Sequence, residues 1–230
     1  MDSFAFIIHP IDPKRDVARK YPFLGHVLPE SAIHFLSRFW PPVQLSHVTG
    51  IRSQATGKEI EGWLIAVPYT AQRMLQLPVK EVYRKIITAG HLAERLGAQI
   101  LGLGAYTSVV GDGGETIARN LDIAVSSGDS YTAAVSVQAT QMAARKMGID
   151  LGSTKVAVVG ASGAIGAAVV RMLAPDVARM SLIAREQDRL TSLAEEVKAA
   201  GCESVEVSTD VADIRSARVV VTGTSAGGNL

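Results

Sequence analysis

Lys155 to Gly166 reads K-V-A-V-V-G-A-S-G-A-I-G, and this stretch decides the fold of the second half of the chain. An apolar run leads into glycines spaced G-x-x-G-x-x-G, and an apolar helical pattern follows. A strand, a glycine turn and a helix start in this order are typical of a dinucleotide-binding unit, in which backbone N–H groups face a pyrophosphate. The alternative is a glycine turn that only packs helix against strand. The cofactor-binding residues predicted here are Gly160, Ser162, Gly163, Ala164, Ile165 and Gly166.

The end of the next predicted strand, 181–184, indicates which nicotinamide cofactor is preferred. An acidic residue at this point usually binds the ribose hydroxyls of NAD, whereas an arginine suits the 2′-phosphate of NADP. The chain has Arg185 followed by Glu186. The guanidinium is always charged and binds two oxygens at once, so Arg185 favours NADPH. Glu186 would instead bind the ribose and favour NADH.

The region after the glycine turn predicts a Rossmann-type parallel sheet that is only partly present. A helix over 187–200 and strands over 204–208 and 218–222 follow. A complete Rossmann sheet has about six strands, and about four are predicted here. Either the missing strands come from elsewhere or the chain is a fragment, and we expect a C-terminally truncated fragment whose last loop leads into the cofactor site. The loop residues expected to contact the cofactor are Thr222, Thr224 and Ser225.

Composition excludes several classes of protein. The chain has 230 residues, of which 47% are hydrophobic and 20% charged, as in ordinary globular proteins. The formal net charge of +1 gives no field that would attract nucleic acid or an anionic membrane. No apolar run reaches the length of a membrane span, and the N-terminus lacks the basic region of a signal peptide. Cys202 is the single cysteine, so we expect no disulfides and a cytoplasmic location.

The first half predicts a separate α/β domain. Strands are expected over 4–8, 43–51, 60–67 and 100–103, with short helices over 16–20 and 31–39. Pro78 opens a helix with an apolar stripe over 79–96, and Gly97 ends it. We interpret the stripe as domain core rather than as a lipid pocket. The predicted organisation is a substrate domain over 1–131, a linking helix and linker over 132–152 and the cofactor domain over 153–230, with the substrate in the cleft between the domains.

Two glycine-rich segments before the linking helix are candidates for substrate contacts. Segment 102–114 has two interpretations. Its hydroxyl side chains would donate hydrogen bonds to a substrate carbonyl, or the segment is a turn that packs the two domains. Segment 126–132 also has two interpretations. Backbone and hydroxyl donors at the helix start would bind an acyl oxygen or the nicotinamide amide. Alternatively, Asp129 or Ser130 is only the N-cap of the helix. The substrate-site residues predicted from these segments are Tyr106, Thr107, Ser108, Gly128 and Ser130.

Four motifs in this order carry a family resemblance: G-L-G-A-Y-T-S-V-V-G-D-G-G over 102–114, S-S-G-D-S-Y-T-A from Ser126, V-G-A-S-G-A-I-G from Val159 and L-I-A-R ending at Arg185. The chain resembles the fatty acyl-(acyl-carrier-protein) reductases and their relatives, which are predicted amino-acid dehydrogenases of shikimate-dehydrogenase-like type. The resemblance covers essentially the whole chain, but it indicates the substrate only weakly.

The resemblance implies an NADPH-dependent oxidoreductase that reduces an acyl thioester to an aldehyde, with an acyl carrier protein as a partner. It also implies a catalytic cysteine beyond the fourth strand of the cofactor domain, past Leu230. Cys202 does not match that cysteine, and we expect it to be a small buried residue. The fragment alone is therefore expected to be inactive, and its catalytic residues remain unassigned.

Other chemistry finds little support in the sequence. The Tyr and Lys spaced four apart on a helix in short-chain dehydrogenases are missing, since Ile87 follows Tyr83 and Val135 follows Tyr131 at that spacing. The five histidines show no metal-ligand spacing, so we predict no metal site. The alternative functions are an amino-acid or shikimate-type dehydrogenase and a non-catalytic nucleotide-binding module. A shikimate-type enzyme needs a Lys–Asp pair, for which the candidates are Lys80 or Lys85 with Asp112 or Asp122.

Overall fold

The apolar run that opens the chain forms the central strand of the first of two sheets. A computed structural model describes residues 2–104 and 106–224. The chain divides into two units, Met1–Gly128 and Asp129–Leu230. Each unit contains one sheet and the helices that pack on it.

The first unit is an α/β domain with a five-stranded, mostly parallel sheet in the order β2-β3-β1-β4-β5. Of the strands in the described residues, β2 alone is antiparallel to its neighbour. Its strands are β1 (Asp2–Ile8), β2 (Val43–Arg52), β3 (Glu59–Ala66), β4 (Ile100–Leu103) and β5 (Ala124–Ser126). Its helices are α1 (Pro13–Lys20), α2 (Pro22–Val27), α3 (Glu30–Leu36), α4 (Ala71–Gln76), α5 (Val79–Leu96), α6 (Tyr106–Val109) and α7 (Glu115–Ala118).

Helix α5 supplies the core of the first unit. Pro78 occupies the N-cap position without a side-chain cap, and Gly97 ends the helix with a φ of 92°, a left-handed conformation that glycine adopts without strain. The apolar stripe is buried at Val82, Ile86, Ala89 and Ala93, in one cluster with Ala5 and Ile7 of β1. This confirms that the stripe is domain core.

The second unit has a four-stranded sheet in the order β8-β7-β6-β9, with every pairing parallel. If the four strands of this unit are numbered 1 to 4 along the chain, their spatial order in the sheet is 3-2-1-4. This is the order of the first four strands of a Rossmann fold. The strands are β6 (Lys155–Val159), β7 (Arg179–Ile183), β8 (Ser204–Ser208) and β9 (Val219–Thr222). The helices are α8 (Asp129–Lys146), α9 (Ala164–Leu173) and α10 (Gln187–Ala199), with 3-10 turns at Ala174–Asp176 and Val211–Ser216. The predicted fold class is confirmed.

Both faces of the second sheet are covered. Val156 and Val158 are fully buried and belong to the core cluster that α8, α9 and α10 share, while Ala157 and Val159 pack toward the 3-10 turn Val211–Ser216. A strand buried on both faces is continuously apolar rather than alternating, which explains the V-A-V-V run.

The start of α8 differs from the prediction. The helix begins at Asp129 rather than at Thr132, because Gly128 turns the chain with a φ of 79° and donates its N–H to the Ser126 hydroxyl at 3.2 Å. Helix α8 packs against α9 within the second unit. Among the residues that the structure describes, no helix combines the length and apolar character needed to cross a bilayer.

Candidate functional site

The glycine turn after β6 is held tightly at its first glycine. Gly160 has a φ of 81°, and a Cβ added there would lie 2.6 Å from the carbonyl oxygen of Gly223. Its N–H donates to the carbonyl of Ile183 at the end of β7, at 2.8 Å. The turn is thus pinned to its two neighbouring strands, and a side chain at this position would be strained and would clash.

The other two glycines of the motif have different environments. A Cβ at Gly166 would overlap the backbone carbonyl of Gly160, so glycine here lets α9 approach the turn closely. Gly163 is exposed, and among the described residues a Cβ there would meet the Gly160 and Gly223 oxygens alone, at 3.3 and 3.8 Å. Gly163 therefore leaves open the space through which a pyrophosphate would approach the backbone.

The first turn of α9 presents unpaired backbone donors to that space. Gly163 is the N-cap residue and makes no side-chain cap, and the first helical bond runs from the Ala167 N–H to the Gly163 carbonyl at 2.8 Å. In the described part of the chain, no acceptor is found for the N–H groups of Ala164, Ile165 and Gly166. Such a helix start attracts an anion, since the free N–H groups and the helix dipole both favour negative charge. Ser162 lies half-buried in the same turn.

Arg185 and Glu186 stand at the carboxyl end of β7 with different partners. Glu186 makes an ion pair with Arg189 at 3.0 Å. Arg185 is exposed and makes no ion pair with any residue that the structure describes. The guanidinium therefore remains available to an anionic ligand, whereas the carboxylate beside it is already paired.

The end of β9 lies next to the glycine turn. The Gly223 N–H donates to the carbonyl of Val159 at 2.8 Å, which continues the strand pairing past Thr222. Thr222 and Thr224 are exposed at this edge of the sheet. The structure therefore brings these threonines to the same sheet edge as Gly160, while Ser225 lies outside the described residues.

The predicted substrate residues have different surroundings. Thr107 is fully buried, and its hydroxyl donates to the Gly104 carbonyl at 2.7 Å, so this side chain stabilises α6 rather than facing a ligand. Tyr106 is half-buried, with its ring edge-to-face to His9 at a centroid distance of 6.1 Å. Ser108 follows in the same short helix. Gly128 ends the first unit, and Ser130 is exposed in the first turn of α8.

Cys202 is buried, as predicted. It is 2% exposed, and its Sγ lies 3.4 and 3.5 Å from the carbonyl oxygens of Ala178 and Ser204. Burial raises the pKa of its thiol, so the thiolate form that a nucleophile requires is disfavoured. Cys202 is therefore a structural residue.

The lysines and aspartates considered for a shikimate-type pair have other partners. The Lys85 ammonium donates to the carbonyls of Arg38 and Trp40, at 2.9 and 2.7 Å. Asp112 accepts from the amide and hydroxyl of Thr116 at the start of α7. Within the described residues, no ion pair joins Lys80 or Lys85 to either candidate aspartate.

The histidines form no metal cluster within residues 2–104 and 106–224. His47 and His91 pair with Glu61 and Glu94, at 2.9 and 2.7 Å. His9 and His34, however, line one pocket in the first unit together with Tyr106. Sequence reasoning treated all five histidines as scattered and missed this grouping. The available signal was that His9 directly follows β1, at the edge of the sheet where ligands usually bind.

Comparison with known proteins gives matches to both units. Residues 154–227 match the short chain dehydrogenase family, and this segment contains the glycine turn and Arg185. Among solved structures, the chain is similar to quinate dehydrogenase from Corynebacterium glutamicum in complex with NAD. That match has 15% identity and a TM-score of 0.42, and it covers 97% of this chain and 70% of the other.

Two curated relatives also match the chain. The long-chain acyl-[acyl-carrier-protein] reductase of Synechococcus elongatus is 30% identical over 203 residues, which cover 81% of this chain and 56% of the reductase. The aminotransferase PigE of a Serratia species is 29% identical over 182 residues, which cover 76% of this chain and 21% of PigE. The chain thus spans about half the length of the reductase and about a fifth of PigE. These matches confirm the resemblance predicted from the motifs: the chain is similar to the long-chain acyl-[acyl-carrier-protein] reductase, and its residues 154–227 match the short chain dehydrogenase family.

Proposed function

We propose that the second unit binds NADPH and that the chain is part of an enzyme that reduces an acyl thioester to an aldehyde. The pyrophosphate would lie against Gly163 and the three open N–H groups of α9, and the 2′-phosphate against Arg185. One observation carries the proposal: an open glycine turn stands at the same sheet edge as an arginine without an acidic partner among the described residues.

The choice of NADPH over NADH depends on Arg185 and Glu186. Glu186 makes an exposed ion pair with Arg189 through one carboxylate oxygen, at 3.0 Å, which contributes little and leaves the other oxygen able to accept a hydrogen bond, so the preference rests on Arg185. The Arg185 guanidinium would meet the 2′-phosphate in a bidentate, charge-assisted contact. This arrangement favours NADPH.

The acyl thioester is proposed from the homology to the long-chain acyl-[acyl-carrier-protein] reductase. The acyl group would first pass from the carrier thiol to the catalytic cysteine that the resemblance implies, which releases the carrier thiol and forms a cysteinyl thioester. NADPH would then supply a hydride to the carbonyl carbon of that thioester, the C–S bond would break, and a proton would restore the cysteine thiol. The products are an aldehyde, the carrier thiol and NADP⁺. Cys202 takes no part, because its buried thiol has a raised pKa.

A titration with both cofactors tests the choice of cofactor. Arg185→Ala should weaken NADPH binding by about tenfold to a hundredfold, the equivalent of one charge-assisted contact of about 1.5–3 kcal/mol. NADH has no 2′-phosphate, so its affinity should hardly change. Arg171→Ala is the matched control, since it removes an exposed arginine of the same unit that is paired with Glu196. Equal losses for NADH and NADPH in Arg185→Ala would contradict the assignment.

A further inference from the structure

The two faces of the sheet in the first unit differ in how well they are covered. Successive side chains of a strand point to opposite faces, and the burial of β1 alternates in the same way. Ala5 and Ile7 are fully buried, in one core cluster with the apolar stripe of α5. Phe6, which lies between them and points to the other face, is 45% exposed. The other face of the sheet is therefore open at its central strand.

The strand register extends this open face over the neighbouring strands. Phe6 pairs with Leu64 of β3, and Phe4 pairs with Ile100 of β4, which in turn pairs with Ala124 of β5. Because paired residues of neighbouring strands point to the same face, their side chains form one surface. Ile100 is 42% exposed, and Ala124 is exposed as well. The larger side chains of the open face, with Ala124, are Phe4, Phe6, Ile8, Leu64, Ile100 and Ala124.

Two glycines keep the open face flat. A Cβ at Gly62 of β3 would overlap the ring of Phe4, and a Cβ at Gly102 of β4 would lie 2.7 Å from the ring of Phe6. Each ring thus lies over a glycine of a neighbouring strand, one on either side of β1. The two rings contact each other edge to face, with their centroids 6.4 Å apart. A second flat surface could therefore approach closely, as in stacked sheets, which lie about 10 Å apart.

An uncovered apolar face is unusual for a mostly parallel sheet. Such sheets normally have both faces buried, as the sheet of the second unit has. The open face spans five strands, and its central strand has seven residues. With strands about 4.8 Å apart and a rise of about 3.3 Å per residue, it measures about 500 Å². An exposed apolar patch of this size marks an interaction site.

The charge of the open face indicates what covers it. Among the described residues of the five strands, Asp2 at the amino end of β1 is the one charged residue that points to this face. Nucleic acids and anionic membranes are bound through basic residues, and the described strands place none on this face. A flat, nearly uncharged surface can instead meet an identical surface without repulsion between like charges.

We infer that two copies of this chain associate through the open face, sheet against sheet across a two-fold axis. The same patch is used by both copies, so the assembly closes at two. The two patches together bury about 1,000 Å², which is the lower limit for a specific interface, and the dimer is therefore weak and reversible. The inference concerns the first unit and is independent of the cofactor assignment.

Sedimentation velocity of the full chain, from low micromolar to submillimolar concentration, is the first test. The average mass should rise with concentration from that of one chain to that of two. A chain that remains monomeric over the whole range would overturn the inference, and so would growth beyond two copies.

Variants then identify the face that is used. Ile100→Glu and Ala124→Glu each place a carboxylate on the open face of both copies, and each should raise the dissociation constant of the dimer at least about a hundredfold. Leu75→Glu is the matched control, since Leu75 is an exposed apolar residue of α4, outside the open face, and this variant should dimerise like the wild type.

Circular dichroism and the melting temperature show which variants are folded, and two positions are used so that one decides if the other variant does not fold. A folded Ile100→Glu or Ala124→Glu protein that dimerises as tightly as the wild type would overturn the inference. An equal loss of dimer in folded Leu75→Glu would also overturn it, because the effect would then not depend on the open face.

Discussion

Replacing Gly163 by valine should weaken cofactor binding at least about tenfold while leaving the fold intact. Gly163 has a φ of −77° and a ψ of 164°, an extended conformation that any residue adopts. Within the described residues a Cβ would meet two oxygens and nothing else, at 3.3 and 3.8 Å, so the cost to the free energy of unfolding should stay near or below about 1 kcal/mol, as for other changes at an N-cap. The side chain would instead fill the space in front of the open N–H groups of α9. The pyrophosphate would then lose at least one charge-assisted bond, and affinity should fall by tenfold or more, about 1.4 kcal/mol at least.

The assay is a fluorescence titration with NADPH, together with thermal denaturation of the same protein. Gly166→Ala is the comparison, because its Cβ would overlap the Gly160 carbonyl and force the backbone to shift. That variant should lose about 1–3 kcal/mol of stability, the usual cost of overpacking. A folded Gly163→Val protein that binds NADPH with wild-type affinity would refute the placement of the pyrophosphate.

Two further predictions concern Cys202 and the stability of the first unit. The buried thiol of Cys202 should react with a thiol reagent only after the protein unfolds. In an enzyme of this family that forms aldehyde, the Cys202→Ser variant should keep the wild-type rate. A large loss of rate in a folded variant would contradict the structural role of Cys202. Hydrogen bonds from Arg38 hold the pKa of the Glu81 carboxyl below its usual value, with a smaller contribution from Tyr69. Because the folded pKa is depressed, this pairing stabilises the fold above the carboxyl's unfolded pKa and is lost as the pH falls through the folded value. Glu81→Gln should thus lower the melting temperature at neutral pH and make it less sensitive to acid, and an unchanged acid dependence would show that Glu81 does not contribute.

The sequence predicted the elements whose patterns are long and uninterrupted. Helix α5 and the strand, turn and helix around Gly160 lie where predicted, because periodicity and terminal residues agree in both. Strand β5 and helix α2 were missed. Strand β5 has only three residues, and α2 contains a glycine and begins at a proline, so neither shows a clear period.

The polar contacts of the first unit were harder to predict. His9, Thr70 and Tyr106 are far apart in the chain, and only the pairing of β1 with β3 and β4 brings them to one edge. Thr107 was predicted to contact the substrate, but its hydroxyl donates to the nearby carbonyl of Gly104. No sequence pattern indicates this local hydrogen bond. Which of two neighbouring charged residues is already paired, as with Arg185 and Glu186, also depends on local geometry.

The most direct test of the account is an amide-resolved NMR titration of the wild-type chain with NADPH. We expect saturable binding, with the largest shifts at the N–H groups of Ala164, Ile165 and Gly166, and a shift at the Arg185 side chain that NADH does not produce. Absence of saturable binding, or shifts confined to other parts of the chain, would contradict the claim that this glycine turn is the cofactor site.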